Sequence, residues 1–527
     1  MLKMFNAGLL CLLFCFSLVS LLLPLFTLPA SAQGVYEAWV ARYNGSGNGQ
    51  DAAYALVVDA SGNVYVTGRS IGSGTGEDYA TIKYSSFGDT LWVRRYNGPG
   101  NGTDYAQALA VDDDGNEYVT GNSVGIGTFS DFATIKYAPN GDTVWVRRYN
   151  GPGNGNDDAH ALAVDDNGNV YVAGGGVQDS AHSPYCDFIT IKYSPAGDTL
   201  WVRTYNGPSN GDEYVLAMAV DANGNVYVTG DSWGGVTLHD YATIKYAPNG
   251  DSLWVRRYNG PGNGEDVAYA LAVDDSGNVY VTGYSEGSGT SYDYTTIKYS
   301  PNGDTLWVRR YNGPGNSDDA AGELAVDDSG NVYVTGYSYS GAYSDYATIK
   351  YSSLGDTLWV RRYNGPGNSI DRASDLVVDG SGNLYVTGSS DGSGTFKDYA
   401  TVKYSSAGDT LWVRRYNGPG NDYDYAYALA VDGSGNLYVS GISDEDYATI
   451  KYSCAFKPGD ANGDGLVRLS DIVGIINYLF KDSPVPEPLC RGDADGDGSI
   501  VLPDIIYLIN FLFKSGPAPV KSAACCL

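Results

Sequence analysis

The sequence predicts an all-β chain of eight similar four-stranded units, followed by a small helical module. A Trp-Val pair recurs eight times between Trp39 and Trp412, at spacings of 52 to 56 residues. Each period contains four short runs of β-branched and aromatic residues, with Gly, Asn and Asp between them. No window between the N-terminal apolar segment and residue 470 has helical periodicity. Four strands per period of this length are typical of a β-propeller, in which each unit forms one blade.

The first complete unit illustrates the four expected strands, over residues 53–59, 64–68, 79–84 and 90–96. The first strand is rich in alanine, whose small side chain suits the crowded innermost position of a blade. The fourth strand carries the sequence Trp-Val-Arg-Arg-Tyr and is expected at the outer edge. Counted in this way, one blade starts at the alanine-rich strand and ends at the arginine-rich strand.

The two ends of the repeat region predict how the ring closes. The region begins with an unpaired outer strand over residues 37–43 and ends with a unit of only three strands, over residues 425–452. The first strand can therefore complete the last blade, and we expect a closed ring of eight blades. An open solenoid would need polar capping units, and none is visible in the sequence. A seven-bladed ring with one unit left over is the alternative.

Composition and charge exclude several classes of protein. The chain has 32 Lys and Arg against 61 Asp and Glu, a net charge of −29. This balance excludes a nucleic-acid-binding protein that works by neutralising phosphates. Three histidines in 527 residues leave little for histidine-based catalysis or a zinc site.

The N-terminus has the features of an export signal. Lys3 precedes an apolar run over residues 9–26, and Ala30-Ser31-Ala32 provides the small residues that a signal peptidase accepts. We expect residues 1–32 to be removed, which makes the protein secreted or attached at the cell surface, with no transmembrane segment after cleavage. A membrane anchor is the alternative, but Pro24 interrupts the apolar run.

The repeated units resemble a family of bacterial β-propeller repeats (SBBP-like). The shared pattern is ALAVDxxGNVYVTG followed by DYATIKYSxxGDTLWVRRYNG, and the resemblance covers residues 36–453. It implies an extracellular propeller and carries little information about activity.

Acidic residues recur at four places in the unit, and we interpret them as structural because aspartate accepts hydrogen bonds from its own turn backbone. The set at the start of the first strand allows a second hypothesis. It would form a ring of carboxylates at one mouth of the channel, able to bind Ca²⁺ or a cationic ligand. In the alternative, each carboxylate caps the preceding connection or pairs with an arginine. The eight residues are Asp51, Asp104, Asp157, Glu213, Asp266, Asp319, Asp371 and Asp424.

The loop between the second and third strands varies most from unit to unit, which makes it the candidate ligand face of the propeller. Aromatic residues among Gly, Ser and Asn suit contact with a sugar or a protein. In the alternative, these rings lie flat on their own blades. The candidate residues are Tyr185, Trp233, Tyr292, Tyr339 and Tyr343.

After Cys454 the composition changes, and two twelve-residue motifs follow 33 residues apart. Alternate acidic or amide side chains, glycine at the sixth position and a carboxylate at the twelfth are the donor pattern of a calcium loop. The seventh position contributes a backbone carbonyl. We expect two Ca²⁺ ions. The ligands of the first are Asp460, Asn462, Asp464, Leu466 and Asp471, and those of the second are Asp493, Asp495, Asp497, Ser499 and Asp504.

Each loop leads into an apolar helix, expected over residues 471–481 and 504–514, and this duplicated arrangement resembles a type I dockerin. The resemblance covers residues 458–519 and leaves residues 520–527 as a tail. It implies that the module folds on calcium and docks onto a cohesin-like domain of a scaffold or surface protein. Partner contacts are implied at the tenth and eleventh loop positions, here Leu469, Ser470, Leu502 and Pro503. The Leu-Pro pair departs from the small hydroxyl pairs of cellulosomal dockerins.

Together these features favour a secreted, non-enzymatic binding or structural protein that attaches through calcium to a scaffold or surface. The alternative is a polysaccharide-degrading enzyme, or an accessory protein of a polysaccharide-degrading assembly. An enzyme of that kind needs a pair of carboxyl groups that one site contains and the other units lack.

Overall fold

The computed structural model describes residues 35–179, 183–454, 461, 468–481, 494 and 499–514. Within these residues the repeat region forms eight antiparallel four-stranded sheets, as the sequence predicts. The strands of blades 1 to 4 are β2 (Ala52–Val58), β3 (Val64–Ile71), β4 (Glu77–Tyr84), β5 (Thr90–Tyr96), β6 (Asp104–Val111), β7 (Glu117–Val124), β8 (Ser130–Tyr137), β9 (Thr143–Tyr149), β10 (Asp157–Val164), β11 (Val170–Asp179), β12 (Ser183–Tyr193), β13 (Thr199–Tyr205), β14 (Glu213–Val220), β15 (Val226–Trp233), β16 (His239–Tyr246) and β17 (Ser252–Tyr258). The strands of blades 5 to 8 are β18 (Asp266–Val273), β19 (Val279–Glu286), β20 (Tyr292–Tyr299), β21 (Thr305–Tyr311), β22 (Asp319–Val326), β23 (Val332–Tyr339), β24 (Ser344–Tyr351), β25 (Thr357–Tyr363), β26 (Asp371–Val378), β27 (Leu384–Asp391), β28 (Lys397–Tyr404), β29 (Thr410–Tyr416), β30 (Asp424–Val431), β31 (Leu437–Ser443), β32 (Asp446–Cys454) and β1 (Val35–Tyr43).

The first strand closes the ring. The last blade has the strand order β1-β32-β31-β30, and Val40 of β1 lies opposite Ile450 of β32. Tyr447 then repeats across this closure a contact found between neighbouring blades, because its hydroxyl donates to the carbonyl of Ala80 at 3.0 Å. The eight-bladed ring is therefore confirmed, and no unit is left over.

The fourth strand fastens each blade to the next. In blade 1 the indole of Trp92 lies between Tyr65 of its own blade and Tyr137 of the next, with ring centroids 6.5 and 6.0 Å away. Its N–H donates to the carbonyl of Pro139 at 3.2 Å, and Arg94 covers the ring and donates to the carbonyl of Gly141 at 2.5 Å. The core of the propeller is a series of such clusters, each shared by two blades.

The inner strands line the axis and share one irregularity. Each of them has a register shift after its first residues, as between Ala53 and Ala55 in β2. The residue inside the shift is half-buried or more exposed, as Tyr54 and Tyr269 are. Since the shift recurs in all eight inner strands, side chains at this place vary without disturbing the sheets.

Two helices form the described part of the C-terminal module, α1 (Leu469–Lys481) and α2 (Leu502–Lys514). Both begin two residues before the expected position. Ile472, Ile475, Ile505 and Leu508 are buried between them. In the part of the chain that the structure describes, no helix is long and apolar enough to cross a membrane.

Candidate functional site

The last position of each predicted calcium loop lies at the start of a helix and is buried. The side chains of Asp471 and Asp504 are 0% exposed. Asp471 accepts from the backbone N–H of Arg468, and Asp504 from that of Val501, both at 2.7 Å. Asp504 also accepts from the N–H of Ala494 at 2.6 Å, which joins the beginning of the second loop to its end. This arrangement fits the twelfth position of a calcium loop, since the carboxylate is aimed into the loop and away from solvent.

Of the remaining predicted ligands, the structure describes only one. Ser499 is described and its side chain is exposed, as expected of a residue that contributes its backbone carbonyl. The ligands that lie outside the described residues are Asp460, Asn462, Asp464, Leu466, Asp493, Asp495 and Asp497.

The four predicted docking residues are exposed at the beginnings of the two helices. Leu469 is 58% exposed and Leu502 is 54% exposed, and Ser470 and Pro503 are exposed beside them. One turn further along the two helices, Val473 and Ile506 are 48% and 52% exposed, and neither was among the predicted docking residues. Phe480 and Phe513 are exposed at the ends of the same helices. Because the two copies present equivalent apolar residues, a helix-spacing comparison of the copies could have found this larger surface.

The carboxylates that open the inner strands are capping groups. Asp104 is 0% exposed and accepts from the N–H of Gly98 at 2.7 Å and of Val124 at 3.0 Å. Burial raises the pKa of this carboxyl, and the two N–H groups and Ser123 oppose the shift. The other seven are equally buried. Of the two readings, the structure supports capping, and the carboxylates do not form an open ring at the channel mouth.

The acids predicted to precede the third strands lie at the beginnings of those strands and pair with arginines of the fourth strands in seven blades. In blade 2, Arg148 contacts Asp131 at 2.7 Å, donates to the carbonyl of Ser123 at 2.7 Å and reaches the hydroxyl of Tyr96 in blade 1 at 3.0 Å. Blade 3 is the exception, because Thr204 occupies the arginine position. Burial there raises the pKa of Asp187 to about 6.

The turn acids fasten the hairpins. Asp112 accepts from the backbone N–H of Asn116 at 2.8 Å and from the hydroxyl of Tyr118 at 2.9 Å. In blades 3, 4 and 5 the equivalent hydrogen bonds outweigh burial and lower the pKa of Asp165, Asp221 and Asp274. The structural interpretation of the repeated acids is therefore supported.

The five predicted ligand-face aromatics lie on four different blades. Tyr185 and Tyr343 are 44% and 50% exposed. The ring of Trp233 packs edge-on against that of His239, with the two ring centroids 5.2 Å apart. The ring centroid of Tyr292 lies 4.6 Å from that of Tyr284. The fifth residue, Tyr339, contacts the ring of Tyr337 within its own blade. Among the described residues, no two of the five rings contact each other, so the structure does not bring them together as one surface.

Three buried or half-buried acids escaped the sequence analysis. Glu117 is 0% exposed at a position where the other seven units have Val or Leu, and burial raises its pKa well above the usual range. Glu323 and Asp375 occupy neighbouring inner strands at a position where the other six units have Ala. Burial raises the pKa of Glu323 to about 8 and that of Asp375 to about 7, and the charge of Asp375 adds to the shift of Glu323. A position-by-position comparison of the eight units could have found all three.

Comparison with protein families identifies both parts of the chain. The Beta-propeller repeat model matches seven segments, and the Dockerin type I domain model matches residues 458–513. The seven repeat segments are residues 91–126, 144–174, 200–236, 253–289, 306–342, 358–394 and 411–448.

Relatives and solved structures agree with the propeller fold. An uncharacterized WD repeat-containing protein, L264 of Acanthamoeba polyphaga mimivirus, is 23% identical over 478 residues, which is 69% of this chain and 31% of the relative. The chain thus spans about a third of that protein's length. Sqt1 from Chaetomium thermophilum, in its complex with the N-terminus of ribosomal protein L10, is 11% identical with a TM-score of 0.51, covering 79% of this chain and 99% of that one. A second Sqt1 crystal structure is 10% identical with a TM-score of 0.50 and the same coverage. At these identities the likeness shows the fold alone.

Proposed function

The chain is a β-propeller repeat protein with a C-terminal type I dockerin domain, and from this premise we propose that it is an extracellular binding module held on a cohesin-bearing scaffold or surface. Type I dockerins bind calcium and dock onto cohesins. The observation that carries the proposal is the duplicated end of the calcium loop, where Asp471 and Asp504 are buried and hydrogen-bonded while the adjoining helix turns are exposed.

We propose that the dockerin holds two Ca²⁺ ions, one in each loop. The ligands are the ten residues named from the sequence, with Asp471 and Asp504 closing the two coordination shells. Calcium neutralises the acidic loops and holds the first turn of each helix in place. The apolar residues that follow would then be positioned for a partner.

The docking surface that we propose consists of Leu469, Ser470, Leu502 and Pro503, extended by Val473 and Ile506. Exposed apolar residues are costly to leave in water, and a partner that covers those of either helix gains their burial. Since the two copies differ at the tenth and eleventh positions only by Ser against Pro beside a shared Leu, either copy can present an apolar anchor.

The propeller is the part that the dockerin attaches, and we propose that it binds a polysaccharide without cleaving it. The repeated acids are engaged in holding the blades. The enzyme alternative needs a carboxyl pair, and Glu323 with Asp375 is a buried, coupled pair that two blades contain and the others lack. Both oxygens of Asp375 accept backbone N–H groups, from Leu376 and from Leu429 of the next blade, each at 2.7 Å. A carboxylate held in this way favours a structural role.

The test is capture of the full-length protein by a recombinant type I cohesin domain. We expect calcium-dependent capture that chelation abolishes and that the double variant Leu469→Glu/Leu502→Glu weakens at least tenfold. Leu253→Glu is the matched control, because Leu253 is 53% exposed on the propeller. Calcium-dependent folding of the dockerin without capture by any of several cohesins would contradict the docking proposal and leave the calcium proposal standing.

A further inference from the structure

A pocket lies at the seam where the last blade meets the first. It has a volume of about 150 Å³ and is lined from blade 1 by Gln50, Tyr54 and Arg69. Blade 8 contributes the residues before and along β30 and the turn between β31 and β32. Gln50 and Asp422 belong to the connections between blades, so the pocket lies on the face of the propeller that carries these connections.

A shortened turn in blade 8 opens this pocket. Residues 444 and 445 are all that separate β31 from β32, whereas the equivalent loops of the other units are longer. Asp444 and Glu445 both have positive φ, at 46° and 67°, which non-glycine residues rarely adopt. Asp444 secures the turn by accepting from the N–H of Gly420 at 2.9 Å. Strained backbone at the edge of a pocket is a feature of binding sites.

Five aromatic rings lie in a row, four of them lining the pocket and the fifth, Phe396, extending the row beyond it, and we call them the aromatic strip. Successive ring centroids are 4.9, 6.2, 6.3 and 5.6 Å apart. The three central rings belong to every second residue from Tyr423, just before β30, to Tyr427 within it. The planes of adjacent rings differ by 8° and 5°. In no other unit are all three of these positions aromatic. The strip consists of Phe396, Tyr423, Tyr425, Tyr427 and Tyr54.

The strip is open to solvent and has polar groups along its edge. Phe396 and Tyr423 are 52% and 47% exposed. Arg69 is held against the pocket by Gln50, to which it donates at 2.7 Å, and by Glu77. The carboxylates of Asp422 and Glu445 are exposed at the rim. The site therefore offers flat apolar faces together with hydrogen-bond donors and acceptors.

This combination selects a ligand that has both apolar faces and hydroxyl groups. A proline-rich peptide also lies on aromatic grooves, but its prolines have no N–H to donate to the rim carboxylates. Single-stranded nucleic acid stacks on aromatic rows but is repelled by a net charge of −29. A sugar ring presents C–H groups to an aromatic face while its hydroxyls both donate and accept. The rim carboxylates disfavour acidic sugars.

We propose that the aromatic strip and the seam pocket bind a neutral, linear oligosaccharide segment of a polysaccharide. This inference rests on the proposed role of the propeller as the binding part, and it places that role mainly on tyrosines of an inner strand and its approach, none of which was among the aromatic residues predicted from the variable loops. It is independent of the dockerin, because every residue of the site belongs to the blades.

The test is affinity electrophoresis of the full-length protein in gels containing hydroxyethylcellulose, galactomannan or arabinoxylan, with polygalacturonate as the acidic comparator. We expect retardation by at least one neutral polysaccharide and none by polygalacturonate. Tyr425→Ala/Tyr427→Ala should weaken the interaction at least tenfold. Tyr105→Ala/Tyr269→Ala is the matched control, since these tyrosines occupy the same positions in blades 2 and 5, and it should bind like the wild type.

A second variant keeps the test decisive if the double substitution disturbs folding. Tyr423 precedes β30 and is exposed, so Tyr423→Ala leaves the sheet intact and should still weaken binding several-fold. The proposal is overturned if no neutral polysaccharide retards the protein, if the control variant loses as much affinity, or if a proline-rich peptide binds in a strip-dependent way. Cohesin capture should be unchanged in every strip variant, so failure of docking and failure of sugar binding are separate results.

Discussion

The carboxylates of the propeller and those of the dockerin are held in different ways. In the blades, the repeated acids at the inner strands, the hairpin turns and the third strands have partners supplied by the chain itself, such as Gly98 for Asp104, Asn116 for Asp112 or Arg148 for Asp131, and Asp187 of blade 3 is the acid without its arginine. In the dockerin, acids alternate along two short loops, and each loop ends in a buried carboxylate at a helix start. A strongly acidic chain can thus contain one region whose carboxylates are partnered by the chain itself and one region in which, as proposed above, calcium supplies the partner.

The difference teaches which acids to examine for function. A carboxylate repeated in every blade with the same partners belongs to the frame of the propeller. A carboxylate that most units lack, or one that has lost its usual partner, shows which substitutions the propeller fold accepts and at what cost in stability.

The largest effect is expected from removing the arginine of an intact pair. Arg148→Ala leaves Asp131, which is 4% exposed, without its partner and should lower the free energy of unfolding by about 3 kcal/mol. Denaturant titration followed by intrinsic fluorescence measures this loss. Arg148→Lys keeps the charge but loses the forked geometry of the guanidinium. Its free energy of unfolding should lie between those of Arg148→Ala and the wild type. Equal stability of all three proteins would show that the pair contributes nothing.

Glu117→Val should stabilise the protein. The carboxyl has no hydrogen-bond partner in the described structure, and Lys83 nearby lies over the ring of Tyr65 instead. Its pKa is raised, so the folded state binds a proton more tightly than the unfolded state, and stability falls as pH rises above about 4. We expect a gain of about 2–3 kcal/mol at pH 7, shrinking towards pH 4.

The reverse exchange is the control for Glu117. Val170 occupies the same position in blade 3 and is 0% exposed. Val170→Glu should cost about as much as Glu117→Val gains, with the loss increasing as pH rises. A pH-independent difference in either variant would contradict the assignment of the effect to the carboxyl.

Removing a charge from the neighbouring inner-strand acids Glu323 and Asp375 should also stabilise the protein, but by less than Glu117→Val. Burial raises the pKa of Glu323 and Asp375, and the charge of Asp375 adds to the shift of Glu323, so the wild type loses stability as pH rises from about 4 through the raised values. Glu323→Gln keeps the one side-chain oxygen that accepts from the N–H of Leu324 and removes the charge of this residue, while Asp375 keeps both of its accepting oxygens. We expect the variant to be more stable by about 1 kcal/mol at pH 8 and equal to the wild type at pH 4. Thermal melting across this range would disprove the idea if the two curves stay parallel.

The smallest effect is expected from completing blade 3. Thr204 is exposed, and Thr204→Arg places a guanidinium where seven blades have one. It should lower the pKa of Asp187 below its raised value of about 6 and add about 0.5–1 kcal/mol at pH 7. A carboxyl titration followed by NMR checks the pKa directly. An unchanged pKa would mean that blade 3 positions its third strand differently.

The fold was largely predictable because it is periodic. The unpaired strand at residues 37–43 and the three-stranded last unit predicted the closure that β1 and β32 form. The capping role of Asp104 was one of two open readings, since a sequence does not show whether a strand start faces a channel or a connection. The contact between Tyr54 and Tyr427 was not predicted, because the two residues meet only when the ring closes. Candidate ligand residues chosen by loop variability missed a strip built on an inner strand.

Calorimetry of the full-length protein with calcium and with a chelator tests the central comparison most directly. We expect separate transitions for the propeller and the dockerin, with calcium raising only the dockerin transition. Asp471→Ala/Asp504→Ala should remove that response and leave the propeller transition unchanged. If calcium raises the propeller transition, and still does so in the double variant, then the repeated carboxylates bind calcium and the account of them as self-sufficient structural groups is wrong.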